Sequence, residues 1–233
     1  MKTIFLSLAL VVSAAGMPGK HKPIKHPGPV PTESVVWASD PAMQHQKGVA
    51  ISPTTVLTAN HLGTPVGSKL HVRLADGTRA ETTVTAATAL LVQVQPAGKV
   101  TEQTRRADFF LGGDTRLLTV HPPLPVPALP IATAASGSAT TVHRDGSAAA
   151  RLYGPMKWLG GNGRWIAGKP SKRAVERGDS GLPWFYWNKQ RGRWELLSIT
   201  SHAGVVGNPW EGDGPRLGSA PFKTAINQAR NDQ

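Results

Sequence analysis

Glycine and proline set the first limit on what this chain can fold into. Its 233 residues include 25 Gly and 20 Pro. A proline inside a helix removes a hydrogen bond and strikes the preceding turn, and an interior glycine costs backbone entropy, so long helices are excluded. Short extended runs between tight turns remain. The sequence supplies them at 35–37, 49–51, 56–58, 70–74, 82–86, 90–94 and 117–120, and again at 140–142, 148–152, 165–167, 182–187 and 196–201. Asp76-Gly77 lies between two of these runs and predicts a hairpin, because both residues tolerate positive φ. Only 221–230, with Phe222, Ala225, Ile226 and Ala229 on one face, carries helical spacing. The predicted class is all-β with a short C-terminal helix.

Composition supports a folded chain. Hydrophobic residues make up 39% and charged residues 17%, enough apolar surface for a core and too little charge for a disordered polyelectrolyte. There is no cysteine, which removes disulfides, thiolate metal sites and a cysteine nucleophile together. Residues 1–16, MKTIFLSLALVVSAAG, place a lysine, a short apolar run and small residues in the order of a cleaved secretory signal. That run is shorter than the ~20 residues a membrane-spanning helix needs, and no later segment qualifies. Residues 17–32 mix Pro, Gly, Lys and His and read as a linker or pro-segment. One β unit is expected over 33–125 and a second over 126–233, with five prolines in 121–130 marking the crossing. A secreted or periplasmic protein follows.

Three segments carry chemistry. VAISPTTVLTANH (49–61) is two apolar strands ending at His61, GDTRLLTV (113–120) puts Asp114 at the head of an apolar run, and RGDSGLP (177–183) puts Ser180 in a glycine-rich turn. A serine hydroxyl is a weak nucleophile until a base takes its proton, and histidine is the base whose pKa lies near neutrality. The imidazole in turn needs an acceptor on its far nitrogen, which a carboxylate supplies. Glycines beside the serine let the backbone aim amides at one point. The N–H groups of Gly178 and Ser180 are the candidates for holding an oxyanion.

In this order the segments resemble the trypsin/chymotrypsin-like serine proteases. VAISPTTVLTANH is similar to that family's ISP-x-x-VLTAAH segment, GDTRLLTV to its D-I-A-L-L-x-L segment and RGDSGLP to its GDSGGP motif, and the resemblance spans 35–226. It implies two antiparallel six-stranded-type β-barrels packed against each other, and an endopeptidase acting on protein or peptide substrates without cofactor or metal. It also implies His61 as general base, Asp114 as orienting acid and Ser180 as nucleophile. The order His, Asp, Ser separates the pattern from other serine hydrolases, and the lack of cysteine resembles bacterial exported members. Leu182 stands where the family has a small residue and Asn60 where Ala is commoner. No Ile-Val-Gly-Gly segment precedes the first strand, so insertion of a new N-terminus beside Asp179 is not implied. By the same resemblance Ala174 is the floor of a specificity pocket, and Ser201, His202 and Ala203 line one wall. An apolar or small substrate side chain is expected there; His202 offers an acidic one as the alternative.

The acid is contested. TALLVQV (88–94) also resembles the family's acid segment, with Thr88 at the acid's place, and a chain built that way would be catalytically impaired. Asp76 and Asp108 are further carboxylates in the same half. A triad is defined by geometry rather than by sequence position, and Asp114 is the favoured residue.

Charge supplies the rival reading. The chain carries a formal +12, and 151–193 holds ten Lys/Arg against Glu176 and Asp179; Trp158, Trp165, Trp184, Trp187 and Trp194 fall in or beside this window. Basic groups interleaved with aromatics suit a module that binds anionic polymers or proteins. The favoured alternative makes the tryptophans core residues and the cations a solvated rim. Acidic or anionic partners are then expected and nucleic acid is not. His45, His71, His121 and His143 have no partner at metal-ligand spacing and read as surface or turn residues.

Overall fold

The computed structural model describes residues 28–90, 92, 114–133, 137–155, 164–168, 175–203 and 212–231. The extended runs of the first half pair into β1 (Val35–Ala38), β2 (Lys47–Ser52), β3 (Thr55–Ala59), β4 (Lys69–Arg73), β5 (Arg79–Ala89) and β6 (Thr115–His121). They close into a barrel in the order β1-β2-β3-β6-β5-β4, with β1 bonded to both β2 and β4. Closure leaves no open sheet edge. Val36, Ala50, Val56, Leu70, Val72, Val84, Leu118 and Val120 fill the interior. The Asp76-Gly77 hairpin forms, with Gly77 at φ 84° and Asp76 Oδ1 accepting the Thr78 N–H at 2.9 Å. The run at 90–94 adds no described strand: Leu90 and Val92 are buried beyond the end of β5, and Leu91, Gln93 and Val94 lie outside the described residues.

The second half forms β7 (Gly137–Val142), β8 (Ala148–Pro155), β9 (Arg164–Gly168), β10 (Pro183–Asn188), β11 (Arg193–Ile199), β12 (His202–Ala203) and β13 (Gly212–Pro215). These make one antiparallel seven-stranded sheet in the order β11-β10-β7-β8-β9-β13-β12. The sheet curls back on itself where Ser201, just past β11, donates its N–H to Asp213 O of β13 at 2.8 Å. β13 reads GDGP and gives no strand signal in sequence; its place depends on close approach. A Cβ on Gly214 would strike the Ile199 carbonyl and the Ser198 hydroxyl. Helix α1 (Ala220–Asn231) buries Phe222, Ile226 and Ala229.

One apolar cluster joins the halves. Val35, Val49, Ile51, Leu57 and Leu117 of the barrel share it with Val142, Leu182, Phe185, Leu196 and Ile199 of the sheet and Phe222 and Ile226 of α1. The proline-rich segment is laced to both sides: Leu129 donates its N–H to Ile51 O and Ala132 to Leu196 O. Trp184 is fully buried, its Nε1 donating to Thr200 Oγ1 at 2.8 Å, and Trp187 meets Trp194 edge to face at 5.4 Å. Arg151, counted in the basic window, is buried as well. Trp158 and residues 1–27 lie outside the described residues. Among the described residues no helix is long and apolar enough to cross a membrane.

Candidate active site

Strand register brings His61 to Asp114. β3 and β6 pair with Ala59 opposite Thr115, and the ladder runs one step further, Asn60 donating its N–H to Asp114 O at 3.1 Å. β3 then ends in a 3-10 turn, Asn60–Leu62. The Asp114 carboxylate takes this turn at two points: Oδ1 accepts the His61 backbone N–H at 2.9 Å, and Oδ2 lies 2.8 Å from His61 Nδ1. The carboxylate is buried while the imidazole is 28% exposed. With Nδ1 on a carboxylate, proton exchange by this ring runs through Nε2.

Asp114 sits at φ 39°, the one non-glycine at positive φ among the described residues. Such a conformation costs roughly 1–3 kcal/mol and persists where surrounding bonds over-determine it; here the two-point clasp does so. Sequence reading gave no sign of Arg116, whose Nε donates to Asn60 Oδ1 and Nη1 to Thr64 O, both at 3.1 Å. Asn60 is therefore the docking point of the His61 turn and more than a neutral exchange for Ala. The competing positions stand apart from this cluster: Thr88 is exposed on β5 opposite Leu117, Asp76 closes its own turn onto Thr78, and Asp108 lies outside the described residues.

A second register places Ser180. Pro183 of β10 faces Ile199 of β11, and beyond the strands Thr200 donates its N–H to Leu182 O and Gly181 to Thr200 O, both at 2.8 Å. Ser180 thus lies beside Ser201, and its Oγ–H donates to Ser201 O at 3.3 Å. A Cβ on Gly181 would strike the Lys47 carbonyl and come 3.0 Å from Leu62 Cδ1, so the Ser180 turn abuts the residue that follows His61. Gly178 holds φ 99°. Neither the Gly178 nor the Ser180 N–H has an acceptor among the described residues. Leu182, bulky for its place, packs fully buried in the cluster that joins the halves.

Asp179, between those two amides, is buried. Burial alone would push its carboxyl up, but the His143 ring N–H and the amides of Glu176 and Arg144 outweigh it and hold it below the ordinary aspartate value. Contrary to the surface reading, His143 is buried with its Nδ1 2.8 Å from Asp179 Oδ2, and His71 is buried with Nδ1 3.3 Å from Ser39 Oγ. Each buried ring meets a partner through its Nδ1, as buried polar groups generally must. Lys47 reaches from β2 to donate Nζ–H to Gly178 O at 2.7 Å. Burial lowers its pKa below the ordinary lysine value, with Asp179 opposing and Arg144 reinforcing.

The pocket residues are less completely placed. Ala174 lies outside the described residues. Ser201 is buried and its hydroxyl has no hydrogen-bond partner among the described residues, while His202 and Ala203 pair as β12 with Asp213 and Gly212. Glu176 is turned to Arg144, 3.6 Å away. Among the described residues no group of three or more His, Asp or Glu could hold a metal ion.

No family model matches the chain, and no curated protein matches it in sequence. Solved structures do: a mutant of human heparin binding protein aligns with a TM-score of 0.60 at 14% identity, over 86% of this chain and 92% of that one. The likeness establishes the trypsin-like double-barrel fold. A fold shared by 650 matching chains does not by itself select an activity.

Proposed function

We propose that this chain is an exported serine endopeptidase that cleaves peptide bonds with His61, Asp114 and Ser180. The observation that carries the reading is the two-point hold of the Asp114 carboxylate on His61, in a turn against which the Ser180 turn packs. In this mechanism Ser180 Oγ leaves the Ser201 carbonyl, gives its proton to His61 Nε2 and attacks the substrate's acyl carbon. The oxyanion forms at the amides of Gly178 and Ser180. Asp114 stabilises the imidazolium, which returns the proton to the leaving amine, and water then repeats the sequence on the acyl-enzyme. The residue that the family resemblance assigns to the pocket floor, Ala174, brings no carboxylate, which favours a small or apolar substrate side chain.

A fluorophosphonate tests the reading directly. The folded protein takes up the reagent at Ser180, and Ser180→Ala abolishes uptake; a folded wild-type protein left unmodified overturns the proposal. The +12 charge and the fold neighbour's description as a heparin binding protein support a second reading, an impaired protease-fold module for anionic polymers. Retention on heparin that falls steeply with salt, is unchanged in Ser180→Ala, and belongs to a protein inert to the fluorophosphonate would establish it instead.

A further inference from the structure

Behind the Ser180 turn runs a buried polar chain that the proposed chemistry does not use. Asp179 and His143 face each other at 2.8 Å with side chains 1% and 0% exposed. On the far side of the ring, His143 Nε2 lies 3.5 Å from Arg151 Nη2 and 3.4 Å from Thr141 Oγ1. Arg151, 1% exposed, donates Nε–H to Thr141 Oγ1 at 2.9 Å, and Thr141 gives its own proton to Ala149 O at 3.2 Å. A hydroxyl has one proton, so Thr141 has none left for His143. The arrangement that satisfies every group puts the ring proton on Nδ1, toward Asp179, with Nε2 accepting from Arg151. A carboxylate and a guanidinium, each costly to bury alone, are thus linked through one imidazole.

The position of this chain gives it a role. Asp179 Oδ1 also accepts the Arg144 N–H at 2.8 Å and Oδ2 the Glu176 N–H at 3.0 Å. Its two chain neighbours are Gly178 and Ser180, whose amides have no acceptor among the described residues. Among the described residues every hydrogen bond to the Asp179 carboxylate comes from the β7–β8 hairpin or from the turn itself. We propose that His143, backed by Arg151, is a positioning residue that locks Asp179 so that the Ser180 turn is assembled as the chain folds. This inference rests on the serine-protease reading. The titratable and charged groups that bear on Asp179 are His143 and Arg144 from the hairpin, Arg151 from β8 behind the ring, Glu176 from the turn and Lys47 from β2.

His143→Leu removes both links of the ring, whereas His143→Asn keeps an N–H donor where Nδ1 stood. In His143→Leu, fluorophosphonate uptake and kcat should fall about 10- to 100-fold with KM little changed, since a slightly displaced turn misaligns the reacting atoms. The acid limb of kcat should move to higher pH, because Asp179 loses a donor that holds its carboxyl down while burial still pushes it up. Amide hydrogen exchange across 177–182 should quicken with β1–β6 unchanged. His143→Asn should keep the wild-type acid limb and most of the rate. If His143→Leu does not fold, Arg151→Met carries the test, with a smaller loss of rate and faster exchange in the same turn. Rate, pH profile and exchange equal to wild type overturn the positioning role. A wild-type protein inert to the reagent overturns the protease reading alone, and the exchange comparison then decides whether His143 holds the turn.

Discussion

At the residue scale the most telling position is Asp114, which does two jobs from a left-handed backbone. Aspartate and asparagine tolerate positive φ better than other side chains with a Cβ, so the conformation and the chemistry can be separated by mutation. Asp114→Asn keeps the backbone but offers an amide where His61 Nδ1 needs an acceptor, turning the ring to the wrong tautomer. Its melting temperature should stay within a few degrees of wild type while kcat falls roughly 10⁴-fold. Asp114→Ala should lose the activity and also about 1–2 kcal/mol of stability, because alanine cannot recover the strain at φ 39°. Urea unfolding of the two variants side by side checks this, and equal stability would show that the strain is not held by the clasp.

At the scale of elements, the site consists of two turns fastened to strand ends. The His61 turn is held on β6 by Asp114 and by the Arg116 fork to Asn60 and Thr64. Arg116→Leu leaves strand pairing intact and frees that turn, so kcat should drop about tenfold with KM nearly constant in steady-state kinetics. The Ser180 turn is anchored by Leu182, which is fully buried in the cluster it shares with Phe185 and Ile199. Leu182→Ala should cost about 2–5 kcal/mol in denaturant unfolding, with the rate of fluorophosphonate uptake near wild type where the protein is folded. A Leu182→Ala protein as stable as wild type would mean the turn does not depend on that packing.

At the scale of the whole molecule, the barrel and the sheet share one core and meet at the site. Lys47 Nζ crosses from β2 to the Gly178 carbonyl. As pH rises through the lowered pKa of Lys47, that charge-assisted bond weakens, so activity should decline below the ordinary lysine value of 10.5. Lys47→Arg should carry the limb to higher pH. The folded state binds fewer protons than the unfolded chain in this window, so Lys47 itself adds stability as pH rises; activity should fall while circular dichroism shows an intact fold. The continuous cluster also predicts one cooperative transition: tryptophan fluorescence, which reports mainly on the second half, and far-UV dichroism should melt together. Two separated transitions would mean that the halves fold independently.

The strands, the final helix and the three chemical segments were legible because each is written locally: short apolar runs, glycine or Asp-Gly turns, and a polar residue set at the end of a run. GDGP at 212–215 was not legible as a strand, since it has no apolar signal and owes its place to close backbone approach against Ile199 and Ser198. Nor were the partners of the site. Arg116, Lys47 and Arg151 look like three more cations in a basic chain, and His143 like a turn residue beside Arg144 and Asp145. Sequence by itself determined which residues are chemically able to act and which segments must be extended, because propensity and pattern are properties of neighbours along the chain. Tertiary structure alone decided which carboxylate meets His61, that Thr88 faces solvent, and that His143 and Arg151 are interior. Those outcomes follow from strand register and from the cost of leaving buried polar groups unpaired, and both are set between residues far apart in sequence.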